Sequence, residues 1–203
     1  VKTEYHRSWI LENVRVALRW AAVYGNTHIR AFADVDSKAK LEGVLALLEL
    51  KEEFRNIVDI QIVAFPQDGV VKEPGTDVLV REAMTMGADV VGGIPWIEHS
   101  DIDAQTHIDT MFAIATEFDA PVSMLVDDVG NSESRTLEML AMTTKKVGWG
   151  GRVLAHHARA MALYPDNYHS NLVKLLKDNS IGIVTDPHTG PLHVRVKDLL
   201  EQE

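Results

Sequence analysis

Six times along its 203 residues the chain runs through a short series of branched and apolar residues and closes it abruptly on an acid, an amide or an imidazole. The clearest case is Ile60-Gln61-Ile62-Val63-Ala64-Phe65-Pro66-Gln67-Asp68-Gly69, where an apolar run ends in Pro, Gln, Asp and Gly. A strand buried on both faces reads as such a continuous run, and its carboxyl end delivers polar groups to the rim of a parallel sheet. The spacing predicts strands over residues 27–34, 59–65, 89–94, 121–126, 152–156 and 181–185.

Between these runs the apolar periodicity changes to that of helices. Ser8 before Trp9-Ile10-Leu11, with Gly25 at the far end, predicts a capped amphipathic helix. Asp36 or Ser37 is expected to cap a second helix reaching Phe54, and further helices are predicted over 76–87, 101–118, 132–147 and 168–178. Strands alternating with helices at this spacing form a parallel sheet with right-handed crossovers, either an open doubly wound sheet or a (β/α) TIM-type barrel. No glycine-rich phosphate loop follows the first strand, where Ala33-Asp34-Val35-Asp36-Ser37 stands instead, which weakens the nucleotide-binding open sheet. The polar strand ends favour the barrel: Asp34 and Asp36, Gln67 and Asp68, Trp96 and Glu98, Asp127 and Asp128, His156 and His157, Asp186 and His188 would converge on one mouth. Six strands are two short of a closed barrel, and an open edge exposes backbone groups that invite pairing. The expected architecture is therefore α/β, an incomplete TIM-type barrel in a single domain over 1–203.

Composition narrows the partners. A formal charge of −10 without a basic run works against phosphate-mediated binding of nucleic acid, which needs clustered Lys or Arg. Apolar runs are short and interrupted by charge, so no membrane span and no secretory signal is expected. The absence of cysteine removes thiolate metal sites, catalytic Cys and disulfides, and it fits a cytoplasmic protein. A small-molecule substrate and a homo-oligomeric state are expected.

Several segments in fixed order resemble cytosine deaminase of the amidohydrolase superfamily: His28-Ile29-Arg30, Leu48-Glu49-Leu50-Lys51-Glu52, Gln61 to Gly69, Gly87 to Pro95, Asp127-Asp128 with Ser134-Arg135, Gly148-Trp149-Gly150-Gly151-Arg152-Val153, and His157 followed by Ala160-Met161. The resemblance implies a metal-dependent barrel hydrolase that adds water at a carbon–nitrogen bond, other than a peptide bond, of a small cyclic nitrogenous compound. A divalent cation lowers the pKa of bound water, and a nearby carboxylate moves the proton to the leaving nitrogen. Carried over residue by residue, Gln67 matches the substrate-binding Gln, whose amide donates and accepts at once along a pyrimidine-like ring edge. His157 matches the His that contacts the attacking water, and Asp128 stands at the position of the proton-shuttling Glu, one methylene shorter. His156 replaces a small residue of the family and inherits no role.

The departures bear on the metal. Where the family carries a ligating His on its fifth strand this chain has Leu125, and the His of the family's second strand is Phe32. The resemblance assigns the paired His-x-His ligands to the first barrel strand and an Asp to the last, neither of which these residues supply. The family implies zinc or iron, yet with Leu125 the expectation for this chain is no bound metal, or weak binding. Asp34, Asp36, Glu98, Asp186 and His188 offer another set of oxygen and imidazole groups, though acids at strand ends are commonly solvated rim or helix caps. Two readings follow: a divergent cytosine-deaminase-like hydrolase with His157, Asp128 and Gln67 as its site, or a metal-free relative that binds a ligand or another subunit.

Overall fold

The computed structural model describes Lys2 and residues 5–185. Six strands, β1 (His28–Asp34), β2 (Asp59–Phe65), β3 (Val90–Gly93), β4 (Val122–Val126), β5 (Val153–His157) and β6 (Gly182–Val184), lie side by side in chain order. Every neighbouring pair is parallel. Helices α1 (Arg7–Val23), α2 (Glu42–Phe54), α3 (Thr76–Met86), α4 (Asp101–Glu117), α5 (Thr136–Val147) and α6 (Asp166–Asp178) complete the described elements, with 3-10 turns at Pro95–Ile97 and Arg159–Leu163. The sheet is a curled half-barrel with its helices outside, and the expected partial TIM-type barrel is what the chain forms.

The two faces of the strands separate two cores. Ile60, Ile62 and Ala64 of β2, with Val122, Met124 and Val126 of β4, meet the buried stripe Val44, Leu47 and Leu50 of α2 and Leu137, Leu140 and Ala141 of α5 in the outer core. On the concave side Val63, Phe65, Val90 and Ile94 form a second cluster, against which Phe32, Trp96, Ile97 and Leu125 pack. Such two-sided burial is why the strands read as continuous apolar runs. Gly92 permits the close approach of β2 and β3, since a Cβ there would lie 2.7 Å from the Ala64 carbonyl oxygen. The sheet curls enough for β1 to touch strands three and four places away. Arg30 Nη1 lies 3.4 Å from Ser123 Oγ of β4, and the Phe32 ring meets that of His156 of β5 edge to face at 5.2 Å.

Four helix starts differ from expectation, α6 by beginning at Asp166 rather than Tyr168. Helix α1 begins at Arg7 after His6 with no side-chain cap, so Ser8 lies inside it. Helix α2 starts at Glu42, because Asp36 accepts from the Lys38 and Ala39 amides, both at 2.8 Å, and so closes a separate turn ahead of the helix. Helix α5 starts at Thr136 rather than Ser132, with its first amides bonded to Asp127.

Candidate active site

The three residues singled out by sequence all stand at the carboxyl rim of the sheet. Gln67 follows the end of β2, half-buried, with its backbone N–H donating to the Phe65 carbonyl at 2.9 Å. Asp128 lies two residues beyond β4, and His157 is the last residue of β5. Because Val126 and His157 are register partners, Asp128 and His157 stand on adjacent strand ends, with Gln67 two strands from Asp128 and three from His157. His157 and Ala158 both have positive φ, 68° and 48°, so the chain turns sharply where β5 delivers its imidazole.

The loop that carries Gln67 is held from beneath by Glu98. Its carboxylate accepts from the amides of Val70 at 2.7 Å, Val71 at 3.2 Å and Lys72 at 2.9 Å, and it meets His107 Nδ1 at 2.8 Å. His107 Nε2 accepts from the Ile94 amide at 3.1 Å, which places the ring hydrogen on Nδ1 and makes the ring a neutral donor to Glu98. Burial alone would push the Glu98 carboxyl up, but the His107 bond and the backbone amides outweigh it and hold the group down at about 2. Burial pushes the His107 imidazole down. Gly69, at φ 98°, fits against this arrangement because a Cβ would fall 2.9 Å from Glu98 Oε1.

Asp127 does the same for the Asp128 loop. Fully buried, it accepts from Ser134 Oγ at 2.6 Å, the Thr136 amide and hydroxyl at 2.8 Å, the Leu137 amide at 3.1 Å and the Tyr164 hydroxyl. A carboxylate over the first amides of α5 satisfies donors that have no partner within the helix. Burial and the Asp127 charge push the Tyr164 phenol far above its ordinary range, so the phenol remains a donor. Asp128 itself forms an ion pair with Arg159, Oδ1 to Nε 2.9 Å, although the angles are not those of a hydrogen bond.

The acids at the ends of β1 and β2 are neutralised by lysine. Lys2 Nζ lies 2.8 Å from Asp36, 2.9 Å from Asp68 and 3.5 Å from Asp34, and Lys38 adds a contact of 3.1 Å to Asp68. Asp36 is held down by Lys2 and the turn amides against the opposing effect of burial, whereas burial prevails at Asp34 and pushes it up. Of the alternative set weighed from the sequence, Glu98 is bonded to His107 and Asp34 and Asp36 are paired with Lys2, while Asp186 and His188 lie outside the described residues. Among the described residues no group of three His, Cys, Asp or Glu could hold a metal ion. Leu125 packs against the concave apolar cluster, a setting of hydrocarbon that disfavours a hydrated cation. The residues described therefore do not fit the divalent metal that the family implies.

Sequence reasoning missed a polar cluster on the concave face. His156 is the register partner of Leu125, and its Nε2 lies 2.7 Å from Ser123 Oγ. Arg30, donating through Nε and Nη2 to Gln61 Oε1 at 3.1 and 2.9 Å, reaches the same hydroxyl. Burial first, then His157 and Arg30, push the His156 imidazole down to about 4. The available signal was the two-residue alternation: Arg30 and Phe32, Ser123 and Leu125, Leu154 and His156 are each two apart on their strands.

Comparison with known proteins places this geometry. The profile of the amidohydrolase family matches residues 10–202. N-isopropylammelide isopropyl amidohydrolase of Pseudomonas sp. (strain ADP) is 32% identical over 193 residues, covering 95% of this chain and 46% of that protein. Pterin deaminase of Rhizobium rhizogenes (strain K84 / ATCC BAA-868) is 26% identical over 195 residues, 92% of this chain and 43% of its own length. The crystal structure of 5-methylcytosine deaminase from Klebsiella pneumoniae liganded with 5-fluorocytosine superposes with a TM-score of 0.91 at 30% identity, over 98% of this chain and 51% of that one. The chain spans about half the length of the relatives it matches. A parallel half-barrel with its polar groups at the strand ends, matched along nearly its whole length, makes the chain a member of the amidohydrolase family, similar to the cytosine deaminases.

Proposed function

We propose that the chain is a divergent cytosine-deaminase-like amidohydrolase that hydrolyses a carbon–nitrogen bond of a small cyclic nitrogenous substrate. The observation that carries this reading is the presence of Gln67, Asp128 and His157 together on the carboxyl rim, each at the end of its own parallel strand. Gln67 binds the ring edge through its amide, His157 contacts the attacking water, and Asp128 transfers the proton to the departing nitrogen. Water adds at the carbon bearing that nitrogen, the carbon–nitrogen bond breaks, and ammonia or an amine leaves. No step is assigned to a metal, because the described residues do not assemble a site for one. The relatives act on cyclic nitrogenous compounds according to their names, which supports the substrate class without naming the substrate.

A second reading, a catalytically impaired relative that binds such rings or another subunit, is favoured by two contacts. Leu125 stands in an apolar cluster, and the Asp128 carboxylate is paired with Arg159. A homo-oligomer in the cytoplasm is the proposed setting. No helix among the described residues is long and apolar enough to cross a membrane. Calorimetry with cytosine and ammonia-release assays on the purified chain separate the two readings. Turnover lost in Asp128→Asn and His157→Ala supports the hydrolase, binding weakened by Gln67→Ala without turnover supports the binder, and neither binding nor turnover sinks both.

A further inference from the structure

His156 is a titratable group that the proposed chemistry leaves unused. Its ring is held on two sides, by Ser123 Oγ at Nε2 and by the edge-to-face contact with Phe32. Ser123 is fully buried, and its hydroxyl offers one hydrogen and two lone pairs. Arg30, which can only donate, lies on the acceptor side of that hydroxyl and is itself oriented by two bonds to Gln61. With one lone pair facing Arg30, the hydroxyl keeps its hydrogen and a second lone pair for His156 Nε2, and the hydrogen is the half of that choice on which the inference below rests. A neutral imidazole that accepts at Nε2 carries its own hydrogen on Nδ1. Nδ1 has no hydrogen-bond partner among the described residues and is not sealed from solvent.

We infer that His156 is a ligand-reading residue: its Nδ1–H donates to an acceptor, a ring carbonyl oxygen or an unprotonated ring nitrogen, of a small planar nitrogenous ring lying against Phe32 and Leu125. Ser123 and Arg30 are positioning residues that fix the tautomer. The low proton affinity of the buried ring keeps it neutral near pH 7. Leu125 contributes apolar surface beside this donor, suited to the flat face of a heterocycle. A ring that presents an N–H at the same point would set donor against donor and be rejected. The inference rests on the reading of the chain as a protein that takes small cyclic nitrogenous compounds.

Two measurements on the full 203-residue chain test it. Nitrogen-15 NMR of histidine-labelled protein, with His156 assigned by its loss in His156→Phe, reports the tautomer without any ligand. The expected result is a pyridine-type Nε2 and a protonated Nδ1, shifting toward the other tautomer in Ser123→Ala. A protonated Nε2 in the unmodified chain overturns the inference. Calorimetry with cytosine and uracil as probes then reads the donor: His156→Phe is expected to weaken binding about tenfold. His156→Asn, whose amide nitrogen falls near the position of Nδ1, is expected to retain most of the affinity, while His156→Gln is not. Binding unchanged in His156→Phe but lost in Gln67→Ala overturns this inference and leaves the proposed function standing. Failure of the unmodified chain to bind either probe sinks both.

Discussion

Leu125 of β4 and His156 of β5 are register partners in neighbouring parallel strands, so the chain sets an imidazole beside an isobutyl group at the level where its relatives among the cytosine deaminases are expected to bind metal through a histidine. Adjacent parallel positions on one face are about 5 Å apart. An imidazole one strand away is therefore displaced by more than a metal–ligand bond tolerates and does not replace the missing one.

This relationship sets the expected metal content. Protein purified without chelator should carry zinc or iron far below one equivalent, and Leu125→His should raise the content measured by elemental analysis. Near-stoichiometric metal in the unmodified chain would contradict the assignment of Leu125 to an apolar wall.

Stability should fall on mild acidification. The His156 imidazole is depressed from 6.5 to about 4 in the folded chain, so between those values the unfolded chain binds the proton and the folded chain does not. Its contribution is complete above about pH 6.5, declines as the pH falls toward 4, and changes no further below that. Discounted for the ring's partial contact with solvent, the loss is on the order of 2 kcal/mol. Urea unfolding at pH 7 and pH 5 measures it, and His156→Phe should show the smaller difference. His107, also depressed, adds in the same direction and persists in that variant. Equal pH dependence in the two proteins would remove His156 from the account.

Glu98 should behave as the clamp of the Gln67 loop. In Glu98→Ala, three amides and the His107 donor lose their acceptor, at a cost of about 3 kcal/mol. Hydrogen exchange at Val70 and Lys72 should accelerate, and thermal unfolding should shift downward. Gly69→Ala should loosen the same loop, since its Cβ would press on the carboxylate from a left-handed backbone. Unchanged protection at Val70 in both variants would show that the loop is held elsewhere.

Trp96 offers a contrasting test. Its indole nitrogen is buried without an acceptor among the described residues, and such an orphan donor costs about 1–3 kcal/mol. Trp96→Phe removes that cost while giving up part of the ring's packing, so the two effects should offset to within about 1 kcal/mol. Denaturant unfolding showing a loss above about 3 kcal/mol would mean that the indole hydrogen is satisfied in solution.

The strands were legible in the sequence because a parallel strand covered on both sides is mostly apolar and turns polar at its carboxyl end, as Ile62 to Phe65 followed by Gln67 and Asp68 shows. The beginning of α2 was not. Asp36 looks like a cap in isolation, yet its carboxylate closes a turn on Lys38 and Ala39, and only the folded chain shows the helix starting at Glu42. Gln67, Asp128 and His157 could be named from the resemblance as candidates, and they stand at or just past the ends of their strands. The cluster of Arg30, Ser123 and His156 could not, because it depends on how tightly the sheet curls: Arg30 and Ser123 are 93 residues apart and meet only across the concave face. The partners of Glu98 and Asp127 were hidden for a related reason. A buried carboxylate and a solvated one are written with the same letter.

The nearest-neighbour order of the strands also has a mechanical side. Among the described residues each strand leans on the ones before and after it in the chain, as units do in a stacked array, so bending stiffness accumulates locally along the arc. Two struts span the chord: the guanidinium of Arg30 against the Ser123 hydroxyl, and the ring of Phe32 against that of His156. The width of the concavity is therefore gauged by the length of two side chains. A bulkier group at residue 32 or 156 would prise the arc open, and a smaller one would let it close.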